Sequence, residues 1–569
     1  MDIGFHGGDY SGPNQESESL RDRDESSASY FFPTAESEKP NWKPVSMRWQ
    51  YIAVLTMIAL GFAGLQEYLC QLSMQREKTN KGIITFITPD EIPTWLFFTW
   101  KYVPTLVLVT YGVGWQITDY EVKRLEPYYQ LSKEGGATAA ESLNMDYLTF
   151  FSYLTPVKAI RHRQWAVLLS SIGYLLASSL VPVLQSASFN LEPRKEDRKE
   201  GEPKFVRIDA PWSRAVTAFL IVVALCGTAL IFQLRRKSGL QSDPKGIAGV
   251  ASMATKSHVL NDFHELDTAP NHVIHKRLQH RRYKLYRSCL WQGERVKTET
   301  APPSRLENPH PRMLRLAAGI LYIVCLLLFG GLIPALMFVP GANVVTEKLP
   351  WFLTLLATLI KLVWTTFDCD VRVIEPYYIL SRRQAPGRTL TLDYTGTIPG
   401  WIIIKAALNG HILVSVVGLG AIMCEVLTVV VSSFNFNSGE TFRSFWGSFA
   451  LAEFILLSLS VIATLVYVYR RHPFLPRQPG TIASVLAFVH QSKMLDPDFT
   501  NTEELNSKEM TEWLERIGKT YGLGWFRGRD KQDHCGVDEE VLDSNYFHGK
   551  DRSGTRFTGR EDDFNWEVY

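Results

Sequence analysis

Long apolar runs separated by polar segments dominate this chain. Eight runs are about 17 to 27 residues long, enough to cross a hydrocarbon core of roughly 30 Å as helices. The pattern predicts spans at 51–72, 94–117, 164–184, 212–234, 313–339, 351–367, 411–431 and 446–467. The first run begins after about 50 polar residues, too far along for a signal peptide, so it is predicted to remain as a membrane anchor.

The stretch that leaves the second span recurs where the chain leaves the sixth. Residues 119–132 read DYEVKRLEPYYQLS and residues 368–381 read DCDVRVIEPYYILS, with eight of the fourteen positions identical. This stretch is called the exit motif below. Residues 142–147 match 389–394 in the same way, and residues 244–250 match 479–485. Such repetition predicts a tandem duplication.

The predicted fold class is an all-α membrane protein of about eight transmembrane helices in two tandem parallel four-helix repeats, with disordered cytosolic tails. An even number of spans in each repeat gives both the same orientation. The tails are polar and poor in apolar residues, which predicts disorder. The predicted domains are a disordered tail (1–48), the first four-span repeat (49–236), a cytosolic linker with a helical appendage (237–312), the second four-span repeat (313–470), a second cytosolic helical appendage (471–526) and a disordered tail (527–569).

Two further cytosolic features are predicted. A short apolar helix follows the fourth span and another follows the eighth, ending near Ser257 and Ser492. Later, an amphipathic helix that packs on the other appendage or on the bilayer surface is predicted from apolar residues at helical spacing: Met510, Trp513, Leu514 and Ile517.

Two copies of D-x6-EPYY-x-LS, each followed by L-x-x-D-Y, resemble a fungal family of multi-pass membrane proteins with a duplicated domain of unknown function. The resemblance covers roughly residues 45–530. It implies the architecture and a fungal origin, but no mechanism. The second copy departs from the first in lacking the GGA of 135–137, and it has WIII at 401–404 where the first has FSYL at 151–154.

Basic residues determine the predicted orientation. The loops after the second, fourth and sixth spans are rich in Lys and Arg, whereas Lys348 is the only basic residue between the fifth and sixth. The positive-inside rule therefore places the basic loops and both termini in the cytosol, in the plasma membrane or an endomembrane. Segment 186–211 is the exception, because acids are interleaved with its cations, as in Glu192, Arg194, Lys195, Glu196, Asp197, Arg198, Lys199 and Glu200.

This orientation predicts a labelling pattern. A cysteine at Lys348 should react with an impermeant thiol reagent on intact cells, because that loop is predicted to face outward. A cysteine at Lys237 should react only after the membrane is permeabilised. The reverse pattern would overturn the orientation.

Three ionisable residues within the spans are candidates for a site. Lys101, Glu425 and Glu453 each lie about six or seven residues from the exterior end of a predicted span, roughly 10 Å deep. A charge in hydrocarbon costs several kcal/mol without a partner or water. We expect Lys101 to pair with one of the glutamates and lock the two halves together; a polar site for an ion, proton or solute is the alternative. Lys361 is expected to snorkel to the cytosolic surface.

The exit motif supplies the other candidates. They are Asp119, Glu126, Pro127, Tyr128 and Tyr129 in the first copy, and Asp368, Glu375, Pro376, Tyr377 and Tyr378 in the second. Each proline is predicted to stop or kink its helix, and the tyrosines are predicted to lie at headgroup level. The acids are predicted to pair with Lys123, Arg124 or Arg372 in a structural elbow. A binding role for the carboxylates is the alternative.

No catalytic motif is present, so the sequence predicts neither an enzyme nor a cofactor. The seven cysteines contain no CxxC pair, and the five histidines of 258–280 lack acidic or cysteine ligands at metal spacing, so no metal site is predicted. A net charge of +2 implies no general attraction to nucleic acid.

The predicted function is a non-enzymatic membrane scaffold or organiser; a transporter or channel for an ion or small solute, and a lipid-handling protein, are the alternatives. The predicted partners are the bilayer and anionic headgroups at the cytosolic basic loops.

Overall fold

The computed structural model describes residues 39–79, 81–87, 93–192, 202–292, 308–339, 345, 348–436, 442–550 and 552. Its first half contains the helices α1 (Trp49–Glu77), α2 (Thr94–Lys101), α3 (Val103–Leu131), α4 (Thr155–Arg161), α5 (Trp165–Leu175), α6 (Val181–Ser188), α7 (Ala210–Gln233), α8 (Gly246–Met253) and α9 (Asn271–Leu278). Its second half contains α10 (Leu316–Phe338), α11 (Phe352–Ser381), α12 (Pro399–Leu408), α13 (Ile412–Ser432), α14 (Phe442–Tyr469), α15 (Ile482–Val489) and α16 (Ser507–Ile517).

Seven helices of the described residues are long and apolar enough to cross a membrane, and a bent pair adds an eighth candidate span. The bent pair is α2 and α3, which meet at an angle of 55°. Pro104, at the start of α3, explains the break, because proline cannot donate a hydrogen bond to the carbonyl four residues earlier and clashes with it. The fold is a mostly helical multi-pass membrane protein, as the apolar pattern predicts.

The same contact fixes the helices of both repeats. Trp115 on α3 is fully buried, and a Cβ on Gly173 would lie 2.6 Å from its ring. Trp364 on α11 is likewise buried, and a Cβ on Gly420 would lie 2.1 Å from its ring. Only glycine lets the neighbouring helix approach an indole so closely. These paired contacts place α5 on α3 and α13 on α11 in equivalent ways.

A stop at the exit-motif prolines, one of the two predicted outcomes, does not occur. Pro127 lies inside α3 and Pro376 lies inside α11, and both helices continue to the end of the motif. Each proline removes one helical hydrogen bond. The surrounding residues are buried in the core, so packing offsets that local loss.

Three small antiparallel sheets accompany the helices, which the all-α prediction missed. Their strands are β1 (Ile84–Phe86), β2 (Ala137–Thr138), β3 (Phe189–Glu192), β4 (Lys204–Ile208), β5 (Arg282–Tyr286), β6 (Cys289–Gln292), β7 (Ala385–Pro386), β8 (Thr520–Arg527), β9 (Asp533–Glu539) and β10 (Ser544–Asn545). One sheet has the order β1-β4-β3 and a second β2-β5-β6. In the third, β8 pairs with β7, β9 and β10.

The second and third sheets are repeat-related. In each, a short strand just after an exit motif pairs with a later hairpin: Ala137 lies opposite Tyr283 in the first copy, and Ala385 lies opposite Tyr521 in the second. The duplicated unit therefore extends beyond four spans and a helical appendage to include a hairpin.

Both predicted disordered tails are partly wrong. Strands β9 and β10 lie within 527–569, where β9 pairs with residues 521–527 of β8. At the other end, the Trp42 amide donates to the Leu240 carbonyl at 2.9 Å, and Met47 is buried. Residues 39–48 are thus anchored beneath the first repeat. Residues 1–38, 551 and 553–569 lie outside the described residues.

The segments after the two repeats, which the basic loops predict to be cytosolic, pack into one unit (237–292 and 473–550), called the cytosolic body below after that prediction. The predicted helices α8 and α15 contact each other within it, and their apolar faces join one core. The amphipathic helix α16 is confirmed, but it packs on the loop after α11, where Thr511 and Thr391 hydroxyls lie 2.7 Å apart. The body is therefore built from both halves of the chain.

Candidate functional site

A buried ion pair lies at the contact between the repeats. Lys361 on α11 donates from Nζ to Glu425 Oε2 on α13 at 2.8 Å. The same Nζ donates to the carbonyl of Ser178, in the first repeat, at 2.9 Å. Only 3% of the Lys361 side chain is exposed. One cation thus binds an acid of its own repeat and the backbone of the other.

The first repeat presents this carbonyl because its helix is irregular there. Residues Leu176–Leu180 form a π-helical turn between α5 and α6. Pro182 has no N–H to donate to the carbonyl of Ser178, four residues earlier. A carbonyl without its helical donor is costly in a dry interior, and Lys361 supplies the missing donor. Gly112 on α3 lets this turn approach, since a Cβ there would lie 2.7 Å from Ser178 Cα.

The predicted roles of the intramembrane charges need correction. Glu425 does pair with a lysine and does help to join the halves, but the lysine is Lys361 rather than Lys101. Lys361 does not snorkel, because α11 runs on to Ser381 and leaves it well inside the helix. Lys101 is buried, with Nζ 5.4 Å from the centroid of the Phe97 ring. Glu453 has Oε1 buried without a hydrogen-bond partner.

Polar side chains also meet across the repeats near one end of the spans. Ser432 on α13 donates to Thr105 Oγ1 on α3 at 3.2 Å. The hydroxyls of Tyr102 and Ser448 lie 2.7 Å apart. Further along the same boundary, a cavity of about 60 Å³ is lined from both sides, by Gln116, Ile117 and Tyr120 of the first repeat and by residues that include Asp368, Arg372 and Thr397 of the second. A volume of this size holds roughly two waters.

The first exit motif binds an arginine that follows the fourth span. Arg236 donates from its two terminal nitrogens to the two carboxylate oxygens of Glu126, at 3.2 and 2.8 Å. Its guanidinium lies 5.0 Å from the centroid of the Tyr129 ring. Glu126 and Tyr129 are buried. The motif thus fixes the C-terminal end of α7 against the C-terminal end of α3.

The second exit motif makes the equivalent contacts with Arg470, which follows the eighth span. Arg470 donates to Glu375 Oε2 at 2.5 Å, and its guanidinium lies 3.2 Å from the centroid of the Tyr378 ring. Both side chains of the ion pair are about 5% exposed. Arginine suits this position because its planar group both bonds a carboxylate and stacks on a ring. The Glu and the second Tyr of EPYY therefore form one arginine-binding unit in each copy.

The aspartate that begins each exit motif pairs locally, as predicted. Asp119 accepts from Lys123 Nζ at 2.5 Å and also from the hydroxyls of Ser170 and Ser171 on α5. Asp368 is paired with Arg372. The prediction that Glu126 and Glu375 also pair with these local bases is wrong, since their partners lie far along the chain.

The tyrosines of the exit motifs are enclosed by protein. Tyr128, Tyr129 and Tyr377 are buried, and Tyr378 is half-buried under Arg470. The available sequence signal was an arginine directly after the last span of each repeat, at Arg235-Arg236 and Arg470-Arg471. The motif alone does not identify a partner that lies far along the chain. The two motifs, considered together with an arginine after the last span of each repeat, would have indicated these ion pairs.

A cationic cavity lies at the boundary of the first repeat. It has a volume of about 760 Å³ and lies between the start of α1 and the end of α7. Its lining includes three cations and two indoles: Lys43, Arg48, Arg235, Trp42 and Trp49. Burial, together with the nearby Arg236 guanidinium, lowers the pKa of Lys43. Positive charge is therefore concentrated where a membrane surface would lie.

Duplicated four-span units with repeat-equivalent ion pairs define a multi-pass integral membrane protein with an internal repeat. The family model described as "Protein of unknown function (DUF3433)" matches residues 98–190 and again residues 349–436. Each matched region contains one exit motif, so the chain carries a duplicated domain of unknown function, as its motifs indicate. No curated protein and no solved structure matches the chain.

Proposed function

We propose that this protein is a non-enzymatic membrane scaffold whose two repeats support one cytosolic platform. The observation that carries the proposal is the shared construction of the cytosolic body. Arg477, from the second half, donates to the carbonyls of Leu266 and Asp267, from the first, at 2.6 and 2.8 Å. In the opposite direction, the side-chain amide of Asn271, from the first half, donates to the Gln478 carbonyl at 2.8 Å. Buried polar contacts of this kind favour a single geometry.

The membrane-spanning part is also held together by buried polar contacts. The ion pair of Lys361 and Glu425, and the two arginine-binding motifs, hold helix ends and repeats together through buried charges. Breaking such contacts is costly, so a rigid assembly is favoured over one whose halves move during function. A platform held at fixed distance from the bilayer suits the positioning of other components.

A disulfide between the repeats tests this proposal. Thr105 and Ser432 hydroxyls are adjacent, so the T105C/S432C variant should form a bond that prevents the repeats from separating. Proximity labelling in the native cell would first identify the wild-type protein's neighbours. We expect deletion to disperse these neighbours and the locked variant to restore their clustering fully. If deletion leaves their distribution unchanged, or if locking abolishes the restoration, the scaffold proposal is wrong.

A lipid-binding role is favoured by the cationic cavity. Three cations and two indoles at the membrane boundary suit an anionic headgroup, since each Lys or Arg near the surface contributes about 1 kcal/mol to such binding. Anionic lipid bound there would also offset the repulsion between Lys43 and Arg236.

The K43Q/R48Q/R235Q variant tests the lipid role. Loss of three charges should weaken binding of anionic lipid by about 100-fold, because about 3 kcal/mol corresponds to two decades in affinity. Binding can be measured by native mass spectrometry with phosphatidylserine against phosphatidylcholine. The control K508Q/K531Q/K550Q removes the same charge from exposed positions in the cytosolic body. Equal losses in both triples would contradict a site at the cavity.

A further inference from the structure

Three potential metal ligands meet inside the cytosolic body. Asp267 comes from the first half of the chain, whereas His490, directly after α15, and His534, on β9, come from the second. One ligand atom from each residue lies within 4.8 Å of the others. Asp267 Oδ1 is 3.0 Å from His534 Nδ1 and 3.7 Å from His490 Nε2.

These spacings suit a small tetrahedral ion. Zinc binds His nitrogen and carboxylate oxygen at about 2.0–2.2 Å, which places adjacent ligand atoms roughly 3.3–3.5 Å apart. The two measured distances lie on either side of that range. Side-chain shifts of a few tenths of an ångström would bring Asp267 to ligand spacing from each histidine, and the two histidine nitrogens lie within 4.8 Å of each other.

His490 provides an independent indication. Its side chain is 3% exposed, and Nε2 is buried without a hydrogen-bond partner although it is directed toward Asp267. Its other nitrogen, Nδ1, lies 3.4 Å from the Ala487 carbonyl. With the proton on Nδ1, the lone pair of Nε2 points at the Asp267 carboxylate, an arrangement that an interposed cation stabilises.

His534 is oriented as a ligand by a second carboxylate. Its Nε2 lies 2.9 and 3.0 Å from the two oxygens of Asp530. An Nε2–H that donates to Asp530 leaves the Nδ1 lone pair facing Asp267. Metal-ligating histidines commonly bond a carboxylate through their other nitrogen in this way.

The backbone of the third ligand is also fixed. Arg477 is fully buried and donates to the carbonyls of Leu266, Asp267, Ala269 and Ala487. Its positive charge lies close to the cluster, but Asp267 and Asp530 together supply two negative charges. The ligand loop and the residues before His490 are therefore held by the same side chain.

We propose that Asp267, His490 and His534 form a divalent metal site, of the zinc type, that ties the cytosolic segments of the two repeats together. Two imidazoles and one carboxylate favour zinc over magnesium and calcium, which prefer oxygen ligands. Three protein ligands leave a fourth position for water. The site belongs to the junction rather than to the repeat, since Thr255 occupies the position that corresponds to His490 in the first copy.

Metal stoichiometry of the full-length protein tests the proposal. The protein is purified in detergent through a tag without histidine, stripped with a chelator and dialysed against zinc. We expect one equivalent of zinc by mass spectrometry and, after substitution with Co²⁺, the visible absorption of a tetrahedral cobalt site. One equivalent should also raise Tm by a few degrees, because the ion binds only the folded protein.

Variants distinguish this site from adventitious binding. H490Q and, as a second variant of matched shape, D267N should each lose the zinc, the cobalt absorption and the metal-dependent rise in Tm. H258Q, at an exposed histidine of the same body, should keep all three. Gel filtration and Tm in metal-free buffer establish that each variant is folded. The proposal is overturned if the wild type binds no zinc, or if folded H490Q and D267N bind it as the wild type does.

Discussion

Replacing Glu425 by glutamine, or Lys361 by methionine, should lower the free energy of unfolding by about 3–5 kcal/mol. Either change leaves one charge in a dry interior without its partner. The free-energy cost of that unpaired buried charge is larger than the net stabilisation that the ion pair provides. The pair is bonded at 2.8 Å, and its lysine is almost fully buried. Unfolding can be followed by titration with SDS in mixed micelles.

The double variant K361M/E425Q separates pairing from general damage. It should recover most of the loss, because neither charge remains. The double variant should still be about 1–3 kcal/mol less stable than the wild type, because the Ser178 carbonyl loses its donor. The control E512Q changes an exposed acid of α16 and should cost little. Single variants that resemble the control would show that Lys361 and Glu425 do not form a buried pair.

The arginines that occupy the two exit motifs should differ in their effect on stability. R470M should cost about 3–5 kcal/mol, because Glu375 and Arg470 are both buried. R236M should cost less, about 1–2 kcal/mol, because about a third of the Arg236 side chain is exposed and Gln130 still donates to the Glu126 carboxylate. The same titration measures both.

Lysine should not replace Arg470. R470K keeps the charge but cannot stack on Tyr378, which lies 3.2 Å from the guanidinium, so we expect it to recover less than half of the loss. R516M, on the exposed face of α16, is the matched control. Equal and small costs for R470M, R236M and R516M would mean that the exit motifs do not lock the ends of the repeats.

The spans and the duplication could be predicted from the sequence because both depend on local pattern. Apolar run length is set by bilayer thickness, and the repeat is visible as matching letters. The proline prediction failed for the opposite reason. A local rule ends the helix at Pro127, whereas burial of Tyr128 and Tyr129 in the tertiary core carries α3 past it.

Contacts between residues distant along the chain were the main features that could not be predicted from the sequence. Glu126 lies near two local bases, and nothing in that stretch indicates that Arg236 will bind it instead. The hairpins were missed because their strands, of four to eight residues, contain no long apolar run. One signal existed: Asp262-Phe263 and Asp498-Phe499 recur, and in the structure each aspartate contacts the tyrosine of its hairpin, at 2.6 Å from Tyr283 and 3.4 Å from Tyr521.

The ligands of the proposed metal site could not be recognised at all from spacing. Asp267 is more than two hundred residues from His490, and neither lies in a metal-binding pattern. The five histidines of 258–280, which drew attention by their density, contribute none of the three ligands. Only the packing of the two cytosolic segments brings these ligands together.

The contacts between the repeats imply that the two repeats form one unit, joined within the membrane. Cross-linking tests it most directly, with a protease site inserted between residues 300 and 304 and the native cysteines replaced. T105C/S432C joins the repeats, while T56C/G227C is the control within one repeat, because a Cβ on Gly227 would lie 3.6 Å from Thr56 Cβ. After oxidation and cleavage, we predict that T105C/S432C runs as one species on a non-reducing denaturing gel and as two halves after reduction. Two separate halves before reduction, in a preparation where T56C/G227C does form its disulfide, would contradict the account.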